Sequence, residues 1–409
     1  MRAAMRILIC LMVCPTCAFL VGCGGSSSSS SPSPTNPIAP SATNVATISV
    51  SGGPLGNYPD AAFASVTLCV PGTSTCQTID NVLVDTGSWG LRILSSPVLT
   101  LALPQQQAPD GNPVAECLTF VGSYTWGPVQ TADVQIAGEK ASSVPIQVLS
   151  DTDFPAPSGC TSSGFPSADT LDTLFANGIL GVGLLAQDCG NPCLASYDQY
   201  FECPSSGCQP IDQALGQQVT NPVALFATDN NGVIVELPAV SSAGAPSVNG
   251  SLVFGIGTQS NNALGSAVVY TPDDFLNFTT SYNGQSYPDS FIDSGSDAYF
   301  ILDSGLTGLA NCPTNSDEAG FYCSSQNFSV TNQGSNGTSG VVNFSIANAA
   351  TLFGNSDNFA FDNLGGYSST SAPYYFDWGL PFFFGQNVFV AIAGASPPTG
   401  VPPGPYWAY

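Results

Sequence analysis

One short phrase occurs twice, and that duplication constrains the fold more than any other feature of the chain. Residues 84–94 read VDTGSWGLRIL, and residues 292–302, 208 positions later, read IDSGSDAYFIL. Each copy runs from an apolar stretch into an aspartate, Asp85 or Asp293, and breaks at a glycine, Gly87 or Gly295. Runs rich in Val, Ile and Phe favour strands, and glycine permits the tight turn that follows. Each aspartate is therefore expected at the end of a buried strand, on a turn. A carboxylate there needs partners to stabilise it. Thr86 and Ser88 in the first copy, and Ser294 and Ser296 in the second, place hydroxyls within reach. A single copy reads equally well as an Asx-type turn. Two copies half a chain apart point to an internal duplication.

A second repeated element supports it. NGILGVG (177–183) puts Gly181 96 residues after Asp85, and DWGLPFFFGQNVFVAI (377–392) puts Gly379 86 residues after Asp293. A glycine inside one buried strand is common. The shared order and spacing in both halves is what carries weight.

Composition agrees with a β protein and excludes several chemistries. With 409 residues the chain can bury a sizeable core, and 43 Gly and 33 Pro with 8% charged residues favour strands and turns over long helices. Acidic residues number 28 against four basic ones, a net charge of −24. Two of the four, Arg2 and Arg6, lie at the N-terminus, which leaves Arg92 and Lys140. Such a surface repels phosphate, so a nucleic-acid partner is not expected, while an acidic medium would relieve the self-repulsion. There is no histidine. That removes Ser-His-Asp and Cys-His catalysis and most zinc and copper sites.

The N-terminus reads as a targeting segment over residues 1–22, with a basic start and the apolar run ILICLMVCPTCAFL (7–20), too short to span a bilayer comfortably. LVGC (20–23) resembles the bacterial lipobox. That resemblance implies lipid attachment at Cys23 and, with Gly24 next, an outer-membrane destination; the alternative is an ordinary signal peptide cut near Gly22. Residues 23–45, Ser-rich and then Pro-rich, read as a flexible tether. Ten cysteines remain, an even number that in an exported chain reads as five disulfides. The spacing suggests pairs 69–76, 189–193, 203–208 and 312–323, leaving 117–160. The rival is a four-thiolate zinc site over 189–208. TDNNGVIVE (228–236) lacks the alternating ligands of a calcium loop and reads as a hairpin turn. Five Asn-x-Ser/Thr sequons read as loop asparagines.

Together VDTGS with NGILGVG, and IDSGS with WGLPFFFGQNVFVAI, resemble the pepsin-like aspartic proteases. That family pairs one Asp-Thr/Ser-Gly motif per lobe with an apolar-apolar-Gly strand. ECLTFVGSYTWGPVQTADVQIAG (116–138) is similar to the flap hairpin, and GSLVFGIG (250–257) to the strand that opens the second lobe. The resemblance spans residues 46–395 and implies an all-β, two-lobed fold, lobes 46–225 and 226–409, with a cleft between them. It implies a monomeric enzyme in which Asp85 and Asp293 share a proton and activate water against a peptide or protein substrate. Thr86, Gly87, Ser88, Ser294, Gly295 and Ser296 would support them, and neither cofactor nor metal would be needed.

Three positions depart from the family. The flap tyrosine falls on Phe120, with Tyr124 four residues on as a substitute. Arg92 stands where the family has tryptophan, and Trp89 directly follows the first motif. Arg92 reads either as a cleft residue that lowers the dyad's pKa or holds a substrate carboxylate, or as a solvated surface ion pair. Two functions follow. One is an acid endopeptidase, which both intact motifs favour. The other is a pepsin-like pseudo-protease that binds peptide or serves as a structural surface lipoprotein, which the altered flap favours.

Overall fold

The computed structural model describes residues 39–150, 155–162, 164–195, 197–301, 304–367 and 375–409. The targeting segment, Cys23 and the tether up to residue 38 lie outside the described residues, as does Leu302. Within them the chain is mostly strand, as the composition and motifs led us to expect, and its two sheets form the two-lobed pepsin-like architecture.

The first half contributes β1 (Val45–Val50), β2 (Ala62–Cys69), β3 (Cys76–Asp85), β4 (Trp89–Leu94), β5 (Val114–Thr119), β6 (Tyr124–Ile136), β7 (Glu139–Leu149), β8 (Gly178–Val182), β9 (Tyr200–Glu202) and β10 (Gln209–Pro210). The second half contributes β11 (Gly232–Glu236), β12 (Val248–Phe254), β13 (Val269–Tyr270), β14 (Phe278–Tyr282), β15 (Gln285–Ile292), β16 (Tyr299–Ile301), β17 (Gln326–Gln333) and β18 (Ser339–Ile346). It ends with β19 (Gly365–Tyr367), β20 (Asp377–Trp378), β21 (Asn387–Ala391) and β22 (Tyr406–Ala408). One sheet runs β10-β9-β5-β6-β7-β4-β8-β3-β2-β1-β12-β11-β21-β22-β13, and the other β18-β17-β14-β15-β20-β16-β19. β1 pairs antiparallel with β12, Val45 opposite Val253, so the larger sheet crosses from one half of the sequence to the other. β11 is entered from a 3-10 turn at Pro222–Leu225, not from a strand, so residues 228–231 join two elements and are not the hairpin turn expected. Asn231 closes that loop by exchanging hydrogen bonds with the backbone of Ile256.

The duplication is visible as topology. β3 carries Asp85 and turns into β4; β8 threads between them, parallel to β3 and antiparallel to β4. β15 leads to Asp293 and turns into β16, and β20 threads between these two in the same senses. The glycines of the threading strands are required by close approach. A Cβ at Gly181 would lie 2.8 Å from the Trp89 backbone, and one at Gly379 would lie 2.0 Å from the Ala298 carbonyl oxygen.

Burial explains why the threading strands hold. All five residues of β8 are buried, which suits a strand covered on both faces. Trp378 on β20 is fully buried and packs its indole among Tyr299, Phe344, Phe376 and Phe382, with ring centroids 5.1–5.9 Å away. Burying one such side chain contributes roughly 1.5–3 kcal/mol.

The five disulfides form with the pairing the spacing suggested: Cys69–Cys76, Cys117–Cys160, Cys189–Cys193, Cys203–Cys208 and Cys312–Cys323. The zinc alternative over 189–208 is thereby replaced by two disulfides. Cys117–Cys160 closes the longest loop, a separation of 43 residues, and ties β5 to the segment beyond β7. Loop-closure entropy makes it worth about 4 kcal/mol, against about 2 kcal/mol for the seven-residue Cys69–Cys76 loop. Denaturant unfolding should therefore show a larger loss of stability for the Cys117→Ala/Cys160→Ala pair than for Cys69→Ala/Cys76→Ala; equal losses would contradict this ranking.

Candidate active site

The turns after β3 and β15 meet. Thr86 N–H donates to Ser294 Oγ at 3.1 Å, and Ser294 N–H donates to Thr86 Oγ1 at 2.9 Å. Each hydroxyl then donates across to the other half: Ser294 Oγ to Val84 O at 2.7 Å and Thr86 Oγ1 to Ile292 O at 3.3 Å. Four hydrogen bonds thus lock the two motifs in a reciprocal arrangement. All four are buried, where an unmade bond costs about 1–3 kcal/mol.

That lock brings the carboxyls face to face. A Cβ at Gly295 would lie 2.7 Å from Asp85 Oδ1 and 3.1 Å from Asp293 Oδ1, so the two oxygens lie within the sum of those distances. A Cβ at Gly87 would lie 2.5 Å from Asp293 Cγ. Each glycine is the floor beneath the opposite carboxyl, and no larger residue fits there. The charge of Asp85 bears directly on Asp293.

Their surroundings differ. Asp85 accepts from Gly87 N–H at 2.8 Å, Ser88 N–H at 3.1 Å and Ser88 Oγ at 2.5 Å. Asp293 accepts from Gly295 N–H at 2.7 Å and Ser296 Oγ at 2.8 Å. Burial raises the Asp293 carboxyl well above the ordinary aspartate range, and the charges of Asp85 and then Asp377 push it further; the Ser296 hydrogen bond opposes them. Three donors favour a charge on Asp85, and the missing third donor favours a proton on Asp293. Such a pair can act as base and acid together.

The remaining expected residues are placed less evenly. β5 and β6 form the hairpin read from residues 116–138, closed by a hydrogen bond from Phe120 N–H to Ser123 O at 2.8 Å. Val121 at the tip is 67% exposed, while Phe120 packs half-buried against a cluster containing Phe63, Leu83 and Ile179. Tyr124 starts β6, and the charge acting on its phenol is Asp169, after burial itself. Trp89 is half-buried.

Arg92 requires a correction. It is neither a cleft residue nor a surface ion pair: it is 0% exposed and donates to Asp188 at 2.7 Å, Glu116 at 3.1 Å and Trp89 O at 2.7 Å. Burial works to strip its proton, and Glu116 and Asp188 hold it in place. Asp188 also accepts from Tyr200 Oη, and Glu116 from Gln199. Since Glu116 lies on β5, Arg92 anchors the base of the hairpin to the turn region behind the first motif. Its position on β4, among neighbours that are all buried from Gly90 to Leu94, carried no sign of two acids arriving from 24 and 96 residues away.

Three acids and a tyrosine at the site escaped the sequence reading. Tyr58 lies in the Gly-Pro-rich loop between β1 and β2; burial raises its phenol well above the ordinary value, as do Asp297, Asp293 and Asp85 in that order. Its ring packs against Phe63 and Phe175, and its phenol lies within the field of the dyad's charges. Asp60 is buried, and its Oδ1 accepts from Phe361 N–H at 2.7 Å. Asp297 follows the second motif. Asp377 is 5% exposed and stands at the β20 position matching Ile179 of β8, since Phe291 pairs with Asp377 as Leu83 pairs with Ile179. Only Asp377 had a legible signal: an aspartate in one copy of an otherwise apolar repeated strand.

Comparisons with known proteins agree with this architecture. The family model described as "Protein of unknown function (DUF3443)" matches residues 40–409. No curated protein matches the chain. Among solved structures, an aspartic proteinase from Irpex lacteus is similar in fold, with a TM-score of 0.51 at 15% identity, covering 85% of this chain and 93% of that one.

The buried acids set the pH dependence of stability. Burial raises Asp60, Asp188, Asp293 and Asp377 well above the ordinary range and lifts Asp169 and Asp297 to about 6. Asp133 runs the other way: burial pushes it up, but the N–H groups of Ser143 and Gly72 and the Lys140 ammonium bring it down. A carboxyl whose folded pKa exceeds its unfolded value binds more protons when folded, so stability is lost as pH rises through the folded value. Melting temperature should be higher at about pH 4.5 than at about pH 7.5 at constant ionic strength, because the raised groups outnumber the lowered one. A maximum at neutral pH would contradict this.

Proposed function

The chain belongs to the DUF3443 family, and we propose that it is an exported, lipid-anchored aspartic endopeptidase. The observation that carries the proposal is the facing pair Asp85 and Asp293, both against the Gly295 position and held there by the reciprocal Thr86–Ser294 bonds. Asp85, with three donors, is the ionised base. Asp293 is the protonated acid. Two such charges cannot both ionise cheaply at this distance, so they hold one proton over an acidic range.

The reaction follows from those roles. A water between the carboxyls gives a proton to Asp85 as its oxygen attacks the peptide carbonyl carbon. Asp293 gives its proton to the carbonyl oxygen, forming a neutral tetrahedral diol. The C–N bond then breaks as the nitrogen takes the proton from Asp85 and a diol hydroxyl returns its own to Asp293. Acid and amine products leave, and the dyad is restored. No covalent link to the protein forms. The β5–β6 hairpin would cover an extended peptide, with Phe120 packing against it and the Tyr58 phenol supplying a donor beside the dyad.

Asp85→Asn and Asp293→Asn should each abolish cleavage of an unfolded protein at about pH 4, with melting temperature little changed, because asparagine keeps the shape but exchanges no proton. A peptide with a hydroxyl in place of the attacked carbonyl should inhibit the wild type, since it mimics the tetrahedral diol. Cleavage that survives Asp293→Asn would place the activity elsewhere. A wild type that binds the inhibitor peptide and cleaves nothing would favour the pseudo-protease instead. The anchor is tested separately: Cys23→Ala should abolish labelling by radioactive palmitate in a bacterial host, whereas persistent label would exclude Cys23 as the attachment site.

A further inference from the structure

The Ser296 hydroxyl is shared. It lies 2.8 Å from Asp293 Oδ2 and 2.7 Å from Asp377 Oδ2. A hydroxyl has one proton to donate. Were both carboxyls ionised, one of these contacts would bring two oxygens together with no hydrogen between them. At least one carboxyl must therefore carry a proton and act as donor.

The surroundings decide which contact that is. Asp293 Oδ1 accepts the Gly295 N–H, whereas among the described residues Asp377 accepts nothing from the backbone; its Oδ1 is buried without a partner there and its Oδ2 meets only Ser296. Among the described residues the charged groups that act on Asp377 are Asp297 and Asp85, and its strand neighbours across the pairing are Phe291 and Phe300. Both cations of the described residues are committed elsewhere, Arg92 to Glu116 and Asp188 and Lys140 to Asp133. A buried carboxyl with no backbone donor and no cation, facing only a hydroxyl that a second carboxyl also needs, favours its neutral form.

We propose that Asp377 is a third, proton-holding carboxyl that positions the Ser296 hydroxyl toward Asp293, so that the dyad works as one end of a three-carboxyl chain. Asp377 donates from Oδ2 to Ser296 Oγ, and Ser296 donates to Asp293 Oδ2. The first motif has no counterpart, because Ile179 occupies the matching position and Ser88 donates to Asp85 alone. The device makes the two halves unequal, and so specifies which aspartate is the acid. When Asp377 loses its proton, Ser296 turns to the new charge and Asp293 holds its own proton more tightly. The chain thereby keeps the dyad loaded to higher pH. Only this catalytic consequence rests on the endopeptidase reading.

Infrared spectroscopy of the whole protein tests the proton directly. At about pH 6, roughly two units above the ordinary aspartate range, the wild type should show a protonated-carboxyl C=O band that Asp377→Asn removes. Ser296→Ala should keep that band and move it to higher frequency, since the carboxyl loses its acceptor. This second variant decides the matter if the first fails to fold. In cleavage assays, Asp377→Asn should move the alkaline limb of kcat/KM to lower pH, a loss of about three- to tenfold on that limb, with the acid side unmoved. A merely structural residue would lower the whole profile without moving it. A band unchanged by both variants, or an alkaline limb that stays in place, overturns the proposal. Should the wild type cleave nothing, the endopeptidase reading falls, and the infrared band alone still decides the state of Asp377.

Discussion

Everything at the centre of this molecule depends on the four hydrogen bonds exchanged between Thr86 and Ser294 and the strands that precede them. Two buried carboxyls do not approach each other unaided, because each resists both the loss of water and the other's charge. The reciprocal bonds hold the motif turns at fixed separation, and the glycines beneath remove any side chain that would keep the carboxyls apart. The strand pairs β3–β8 and β15–β20 then anchor each turn from behind.

The scarcity of cations shapes the rest. Arg92 and Lys140 are both committed to acids far from the dyad, so most buried carboxyls must be hydrogen-bonded or neutral. Asp60, Asp293 and Asp377 follow that rule, each raised chiefly by burial. In a protein built this way burial favours the protonated form of these carboxyls, so that acid favours the folded state. Arg92 is the exception that explains the arrangement. As a buried ion it is costly, and it persists where two acids, Glu116 and Asp188, pair with it and are themselves held by Gln199 and Tyr200. What that cost maintains is a fixed root for the β5–β6 hairpin.

The two halves are copies in topology and differ in chemistry. In the first, Ile179 backs the aspartate-bearing strand with an apolar side chain; in the second, Asp377 does so with a carboxyl. In the first, the hairpin contributes Phe120; the phenol near the dyad comes instead from Tyr58 on another loop. Duplication supplies a symmetric frame, and single substitutions at matched positions break the symmetry that acid–base chemistry cannot use.

The sequence by itself determined the duplicated strand-turn-strand units, the positions of Asp85 and Asp293 at their turns and the threading strands with their glycines, and it suggested the four short-range disulfide pairs, with Cys117 and Cys160 left over. These are local signals: apolar runs, glycines and short cysteine spacings act over a few residues or repeat recognisably. Tertiary structure alone decided the fate of Arg92, the approach of Tyr58 and Asp60, and the loop that replaced a hairpin at 228–231. Arg92 shows the reason most clearly. A cation on a strand looks the same in sequence whether it meets water or two acids, and its partners come from positions 24 and 96 residues away, brought in by strand pairings that no short window contains. Burial converts such meetings into chemistry, and burial is a property of the assembled sheets.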